Sequence, residues 1–157
     1  IQAFAFLHTK TGDPKHLEWA KTVANRHWNA RNPETNLAPD APSTGDRYDA
    51  THCFTTITGP HAMALLKTYE MTKDDFFKDI ALAYIAAYLK YGWDPEARQW
   101  RAMLALDGAP VMEQEKGPGY DAYKPTGYID VWPVIMFSYE FPLIAAQTAA
   151  YAAALTG

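Results

Sequence analysis

The sequence predicts an all-α fold built from antiparallel helical hairpins, and three observations lead to this prediction. Apolar and aromatic residues recur at helical spacing, most clearly in residues 17–28, which is typical of one buried helix face. Signals that end one helix and begin the next follow each other closely, as at Gly12 and Pro14. The same helix–turn–helix pattern then occurs a second time along the chain. We therefore expect residues 1–157 to form a single all-α domain with no internal boundary.

The composition is that of a globular protein, and it excludes several classes of function. Hydrophobic residues make up 48% of the chain and aromatic residues 14%, so flat amphipathic side chains are abundant. A net charge of −4, with scattered lysines and arginines, gives no support for nucleic-acid binding. No apolar run approaches the ~20 residues of a membrane span. The single Cys53 excludes an intrachain disulfide and a cysteine-based zinc cluster.

Residues 1–34 predict the first helical hairpin. An apolar helix over residues 1–10 is ended by Gly12, because glycine readily takes the left-handed conformation that follows a helix. Asp13 is expected to cap the second helix, and Pro14 to occupy its first position. This helix ends within residues 31–34, since the residue before a proline avoids the α region.

A long polar loop follows, from residue 31 to about Thr51. A stretch of roughly 20 residues without regular structure is uncommon in a compact domain and is usually a functional loop. A solvated insertion is the alternative interpretation.

Residues 61–92 predict the second pair of helices. The first covers residues 61–70, and Gly59-Pro60 marks either its first turn or a kink in a longer helix. We expect Thr72 to cap the next helix, and Gly92 to end it.

The last third of the chain mixes loop and helix. Residues 98–112 alternate only loosely and favour at most a short extended piece, while 108–127 predict a loop. An apolar helix is expected to open at Asp130. The final helix, over residues 143–155, is lined by alanines, whose small side chains permit close approach of neighbouring helices.

The two helical units resemble each other, and their sequence resembles a known family. The turns that follow them carry Pro33-Glu34 and Pro95-Glu96, which lie 62 residues apart. The stretch from Leu7 to Ala20 (LHTKTGDPKHLEWA), followed by Trp28 to Thr35 (WNARNPET), resembles the hairpin unit of (α/α)-toroid carbohydrate-active enzymes. These include polysaccharide lyases of pectate, alginate and heparin type, unsaturated-uronyl hydrolases and N-acylglucosamine-epimerase-like proteins.

The resemblance implies an incomplete (α/α) toroid, that is, a fragment of a longer helical protein. The chain starts without an initiator Met and stops where a helix has just ended, which leads to the same expectation. The remainder of the parent chain, or a second chain, would then complete the toroid. The resemblance also implies a periplasmic or extracellular location.

The leading function that the resemblance implies is a lyase that cleaves uronate-containing polysaccharide by β-elimination. That reaction needs a base, a group that neutralises the carboxylate, and an acid for the leaving oxygen. Residues 46–61 concentrate groups of this kind. On chemical grounds His52, His61 and Tyr48 are the candidate catalytic residues, while Arg47 is the candidate carboxylate clamp and Asp49 a further substrate-binding candidate.

Five other residues are candidates for substrate binding, because aromatic rings stack on sugars and guanidinium groups bind carboxylates: Arg101, Tyr120, Tyr123, Tyr128 and Trp132. Ordinary core or turn roles are the alternative for each of them and for the histidines. No metal ligands are assigned, and a divalent cation stays open as a cofactor. The alternative functions are a glycoside hydrolase or sugar epimerase on the same scaffold, and a non-catalytic helical-repeat module that binds glycans.

Overall fold

A computed structural model describes residues 1–40, 51–54, 57–113, 126–129 and 140–157. Within these residues the chain is largely helical, as predicted. The helices are α1 (Gln2–Thr11), α2 (Pro14–Trp28), α3 (Ala62–Thr72), α4 (Asp75–Gly92) and α5 (Glu140–Thr156), with a π-helical segment over Ile57–His61 that leads into α3. The strands are β1 (His52–Phe54), β2 (Trp93–Asp94), β3 (Gln99–Trp100) and β4 (Met103–Ala105). The predicted helix that opens at Asp130 lies outside the described residues.

The junction between α1 and α2 follows the sequence prediction. Gly12 ends α1 in the left-handed conformation, with φ of 69°, and its N–H donates to the carbonyl of His8 at 2.8 Å. Asp13 caps α2, since its carboxylate accepts from the N–H of Lys15 at 3.0 Å, and Pro14 is the first residue of α2. The two helices, joined by two residues, pack against each other.

The predicted cap of α4 is wrong by two residues. Thr72 is the last residue of α3, and the N-cap of α4 is Asp74, whose carboxylate accepts from the N–H of Phe76 at 3.1 Å. The reason is Lys73, which takes the left-handed conformation (φ of 58°) that ends α3 and thereby moves the start of α4 along the chain. Gly92 is the last residue of α4, as predicted.

Two short antiparallel sheets accompany the helices. β1 pairs with β4, so that Cys53 lies opposite Leu104, and β2 pairs with β3, so that Trp93 lies opposite Trp100. The short extended piece predicted within residues 98–112 is therefore confirmed, and the all-α class holds only as a largely helical one. The strands are too short and too loosely alternating for their sequence to predict them firmly.

The core is centred on α4. Its fully buried residues, among them Phe77 and Tyr84, pack with Leu65 of α3 and Ala24 of α2 in one cluster. α5 reaches this core through Thr148, which is fully buried and donates to the carbonyl of Gly59 at 3.1 Å. No helix in the described part of the chain is long and apolar enough to cross a membrane.

Candidate active site

The structure describes four of the ten residues that the sequence nominates as site residues: His52, His61, Arg101 and Tyr128. The other six lie outside the described residues: Arg47, Tyr48, Asp49, Tyr120, Tyr123 and Trp132. Their predicted roles stay predictions.

His52 lies in β1 and is half-buried. Its ring Nδ1 lies 3.1 Å from the hydroxyl of Thr51, and its carbonyl accepts from the N–H of Asp40 at 3.2 Å. The hydrogen bond between Asp40 and His52 places these two residues side by side. They flank residues 41–50, the segment of the sequence that carries Arg47, Tyr48 and Asp49. Because His61 ends the π-helical segment, the two histidines do not share one regular helix.

His61 lies in a cluster of four aromatic rings. Its ring centroid is 4.8 Å from that of His27 and 5.9 Å from that of Tyr84. Tyr84 in turn contacts Trp28 edge-on, with centroids 5.5 Å apart. We refer to His27, Trp28, His61 and Tyr84 as the ring cluster.

Three helical elements converge to form the ring cluster. His27 and Trp28 are the last two residues of α2, and Tyr84 lies near the middle of α4. The π-helical segment contains Pro60, which has no N–H to donate to a helical hydrogen bond. Such irregular turns often occur at functional sites, because they re-aim the side chains beside them.

Each of three rings in the cluster carries a buried polar atom without a hydrogen-bond partner among the described residues. These atoms are Nδ1 of His27, Nε2 of His61 and the hydroxyl of Tyr84. Buried polar atoms in proteins are nearly always paired, so an unpaired group requires an explanation. Three such atoms on contacting rings make the ring cluster the candidate site.

Burial also sets the protonation of these rings. Removal from water lowers the pKa of His61 to about 4, and the neighbouring His27 acts in the same direction. Burial likewise lowers the pKa of His27, against the opposing effects of Pro39 and Asp40. Burial raises the pKa of Tyr84 above its ordinary value. At neutral pH the cluster therefore holds two neutral imidazoles and one neutral phenol.

Arg31 lies at the edge of the ring cluster, just past the end of α2. Its guanidinium carbon is 3.7 Å from the ring centroid of Trp28, in a cation–π contact. Two imidazoles, a phenol and a guanidinium are therefore close together here.

Arg101 and Tyr128 belong to a different cluster. The guanidinium of Arg101 pairs with the carboxylate of Asp94 at 2.9 Å and donates to the carbonyls of Tyr91 and Trp93. The phenol of Tyr128 donates to the same carboxylate at 2.9 Å. Asp94 also accepts from two backbone N–H groups, so it holds the turn in which it lies. These contacts hold the turn together, and substrate binding by Arg101 or Tyr128 stays a prediction.

A divalent cation also stays a prediction. Among the described residues, no group of three or more His, Cys, Asp or Glu side chains is placed to hold a metal ion. His27 and His61 form a pair, but neutral imidazoles are equally suited to accept and donate protons.

Sequence reasoning did not identify His27, Trp28, Arg31 or Tyr84 as site residues. Histidines and aromatics at helical spacing are more often structural, and Tyr84 does keep a fully buried ring in the core. The available signal was the concentration of His27, Trp28 and Arg31 at the end of one predicted helix. Nothing in the sequence could indicate that Tyr84 would meet them, because that contact depends on how α2 packs against α4.

The comparisons with known proteins leave the function to be argued from the site. No protein-family model, no curated protein and no solved structure matches this chain.

Proposed function

We propose that this protein is a carbohydrate-active enzyme, a lyase that cleaves uronate-containing polysaccharide by β-elimination at the ring cluster. One observation carries the proposal: His27, His61 and Tyr84 are neighbouring rings, each with a buried polar atom that has no hydrogen-bond partner among the described residues, and Arg31 lies beside them. β-Elimination from a uronate needs a neutral base, a proton donor and a nearby cation, and the cluster supplies all three.

His61 is the proposed base. Nε2 of a neutral His61 takes the proton from the sugar carbon next to the carboxylate group, and the ring becomes an imidazolium. The electron pair of that C–H bond forms a carbon–carbon double bond, and the bond to the 4-linked oxygen breaks. A substrate carboxylate close to His61 favours the imidazolium and raises the pKa of this ring from the low value that burial gives it.

Tyr84 is the proposed acid. Because burial raises its pKa, the phenol stays protonated at neutral pH and can protonate the oxygen of the leaving sugar. The phenolate formed and the imidazolium of His61 then exchange one proton, which restores both groups. His27 contacts the His61 ring and stabilises its orientation.

The hydrogen bond between two residues that lie on either side of 41–50 supports the same site. The N–H of Asp40 bonds the carbonyl of His52 at 3.2 Å, so the chain leaves and re-enters the described structure at neighbouring points. Asp40 is also close enough to His27 to raise its pKa, although burial and the hydrogen bond with the Pro39 backbone have larger effects. Tyr48 remains a proposed acid, Arg47 and Asp49 proposed substrate-binding residues, and His52 a proposed catalytic residue.

We also propose that the helix pairs α1–α2 and α3–α4 are antiparallel hairpins of an (α/α) toroid. Both pairs have short connections and internal packing, which is the basis of this proposal. The outer faces of α1 and α2 expose large apolar side chains, including Phe6 and Trp19, which are 52% and 47% exposed. Further helices of the parent chain, or a second chain, would cover them. A periplasmic or extracellular location, where polysaccharide is met, is part of the same proposal.

The decisive experiment is an ultraviolet assay on the full-length protein. Polygalacturonate, alginate and glycosaminoglycans are incubated with it, each with and without a chelator. A rise in absorbance from a double bond conjugated to the carboxylate supports a lyase, and the chelator lanes decide whether a cation is needed. New reducing ends without that absorbance indicate the alternative, a hydrolase. If neither signal occurs with any of these substrates, the lyase proposal is rejected.

A further inference from the structure

We infer that Arg31 is a specificity residue of the ring cluster, and that its guanidinium binds the carboxylate of an acidic sugar. The inference rests on the proposed function, because it names the residue that distinguishes a uronate from a neutral sugar at that site. It goes beyond the sequence prediction, which gave this role to Arg47.

The guanidinium of Arg31 is held in one orientation. Its Nε donates to the side-chain oxygen of Asn36 at 3.0 Å, and one terminal nitrogen donates to the carbonyl of Trp28 at 2.9 Å. The planar group also stacks on the Trp28 ring. A fixed guanidinium loses little conformational freedom when it binds a carboxylate, which favours tight recognition.

The turn that carries Asn36 is itself rigid. Asn36 takes the left-handed conformation, with φ of 60°, and its N–H donates to the carbonyl of Asn32 at 2.8 Å. The N–H of Asn32 bonds the carbonyl of Leu37, which is 1% exposed. The hydroxyl of Thr35 donates to the carbonyl of Leu106 at 2.6 Å, which ties the turn to a distant part of the chain.

Arg31 has no acidic partner among the described residues, and its second terminal nitrogen makes no hydrogen bond with them. Arg101 is the contrasting case, since its guanidinium forms an ion pair with Asp94. An arginine that is half-buried, held by two hydrogen bonds and without an acidic partner among the described residues is suited to a carboxylate ligand, because arginine can bind both carboxylate oxygens at once.

Arg31 lies close to the proposed reacting groups. Its charge acts on Tyr84, whose pKa is raised by burial and to a smaller degree lowered by Arg31. A carboxylate bound by Arg31 would therefore lie beside the ring cluster. Arg31 also caps the end of α2 through the Trp28 carbonyl, and the test must separate that structural contribution from ligand recognition.

The test compares binding of two ligands to the full-length protein. Oligogalacturonate presents free carboxylates, whereas its methyl ester has the same ring and no charge. Binding of each is measured by calorimetry for the wild type, Arg31→Gln and Arg31→Lys, with Arg26→Gln as the control on the exposed side of α2. The ultraviolet assay is run on the same samples. A failure of the lyase proposal is then detected separately from a failure of the inference about Arg31.

For Arg31→Gln we expect about tenfold to hundredfold weaker binding of the free acid, and unchanged binding of the ester. Arg31→Lys should bind the free acid more weakly than the wild type and more tightly than Arg31→Gln, because lysine keeps the charge but not the planar group. Arg26→Gln should bind as the wild type does. Equal losses for acid and ester would show a structural role only and overturn the inference, as would a wild type that binds the two ligands equally or binds neither.

Discussion

The ring cluster with the adjacent Arg31, and the cluster around Asp94, each contain a tyrosine and an arginine, but they differ in how far their polar atoms are paired. In the Asp94 cluster the carboxylate accepts from Arg101, from Tyr128 and from two backbone N–H groups. In the ring cluster, three buried polar atoms have no partner within the described chain.

This difference is the one expected between a structural network and the proposed binding site. A network in which nearly every polar atom is hydrogen-bonded stabilises a turn and leaves few atoms for a ligand. In the Asp94 cluster, Nε of Arg101 is a buried atom without a partner among the described residues. An unsaturated cluster costs stability, because each unpaired polar atom has lost its hydrogen bonds to water. Such a cost is expected where a ligand restores the missing bonds.

The largest expected effect is on catalysis by the ring cluster. His61→Gln removes the proposed base and should lower the rate of double-bond formation by about a hundredfold to ten-thousandfold. Ultraviolet absorbance measures this rate, and circular dichroism checks folding. His16→Gln is the matched control, since His16 lies on α2 away from the cluster. Unchanged activity in His61→Gln would remove the ring cluster as the active site.

The second effect is a dependence of stability on pH. The pKa of His61 falls from 6.5 in the unfolded chain to about 4 in the folded one. Between these values the unfolded state binds more protons, so the free energy of unfolding falls as the pH falls. His61 is expected to contribute about 3 kcal/mol to the free energy of unfolding. This contribution is fully present above pH 6.5 and is lost as the pH falls through 4.

Urea unfolding of the wild type and of His61→Gln, at pH values from 7.5 to about 4, measures this contribution as the difference between the two curves. Taking the difference separates the contribution of His61 from those of the carboxylates and of His27, whose pKa burial also lowers. Parallel curves would mean that the His61 ring is hydrated rather than buried.

The third effect concerns the Asp94 cluster. Asp94→Ala leaves the guanidinium of Arg101 and two backbone N–H groups without their acceptor, and should lower the melting temperature by several degrees. The rate per folded molecule should stay unchanged. A raised KM at unchanged melting temperature would instead favour the sequence prediction that Arg101 and Tyr128 bind substrate.

The smallest effect compares two tyrosines of α4. Tyr88 donates to the carbonyl of Arg101 at 2.6 Å, whereas the Tyr84 hydroxyl has no described partner. Tyr88→Phe should lower the free energy of unfolding by about 1 kcal/mol, while Tyr84→Phe should leave it unchanged or raise it by up to about 1 kcal/mol. Equal losses in denaturant unfolding would show that the Tyr84 hydroxyl is bonded after all.

Local signals in the sequence predicted much of the fold. The junction of α1 and α2 could be predicted from Gly12, Asp13 and Pro14, because each of these residues affects the backbone only a few residues away. Thr72 illustrates the limit, because both Thr72 and Asp74 are good caps. The choice between them depended on where α3 ended, at Lys73.

The candidate site was less predictable, since it is made by packing. His61 was predicted from its neighbourhood in the chain, but its contacts come from His27 and Tyr84, which lie far away in sequence. Strand β1 was missed for the same reason: its partner, β4, follows about fifty residues later, and residues 52–54 alone are too few to show a period.

Cys53 provides an observable for local opening. It is the only cysteine of the sequence, it is 1% exposed in β1, and burial raises the pKa of its thiol to about 12. Thiol reagents attack the thiolate, so Cys53 should react only in molecules where β1 has separated from β4. The labelling rate would therefore time the opening of this sheet, next to the segment that carries Arg47 and Tyr48. A saccharide ligand that orders this edge should slow the labelling even before any bond is cleaved.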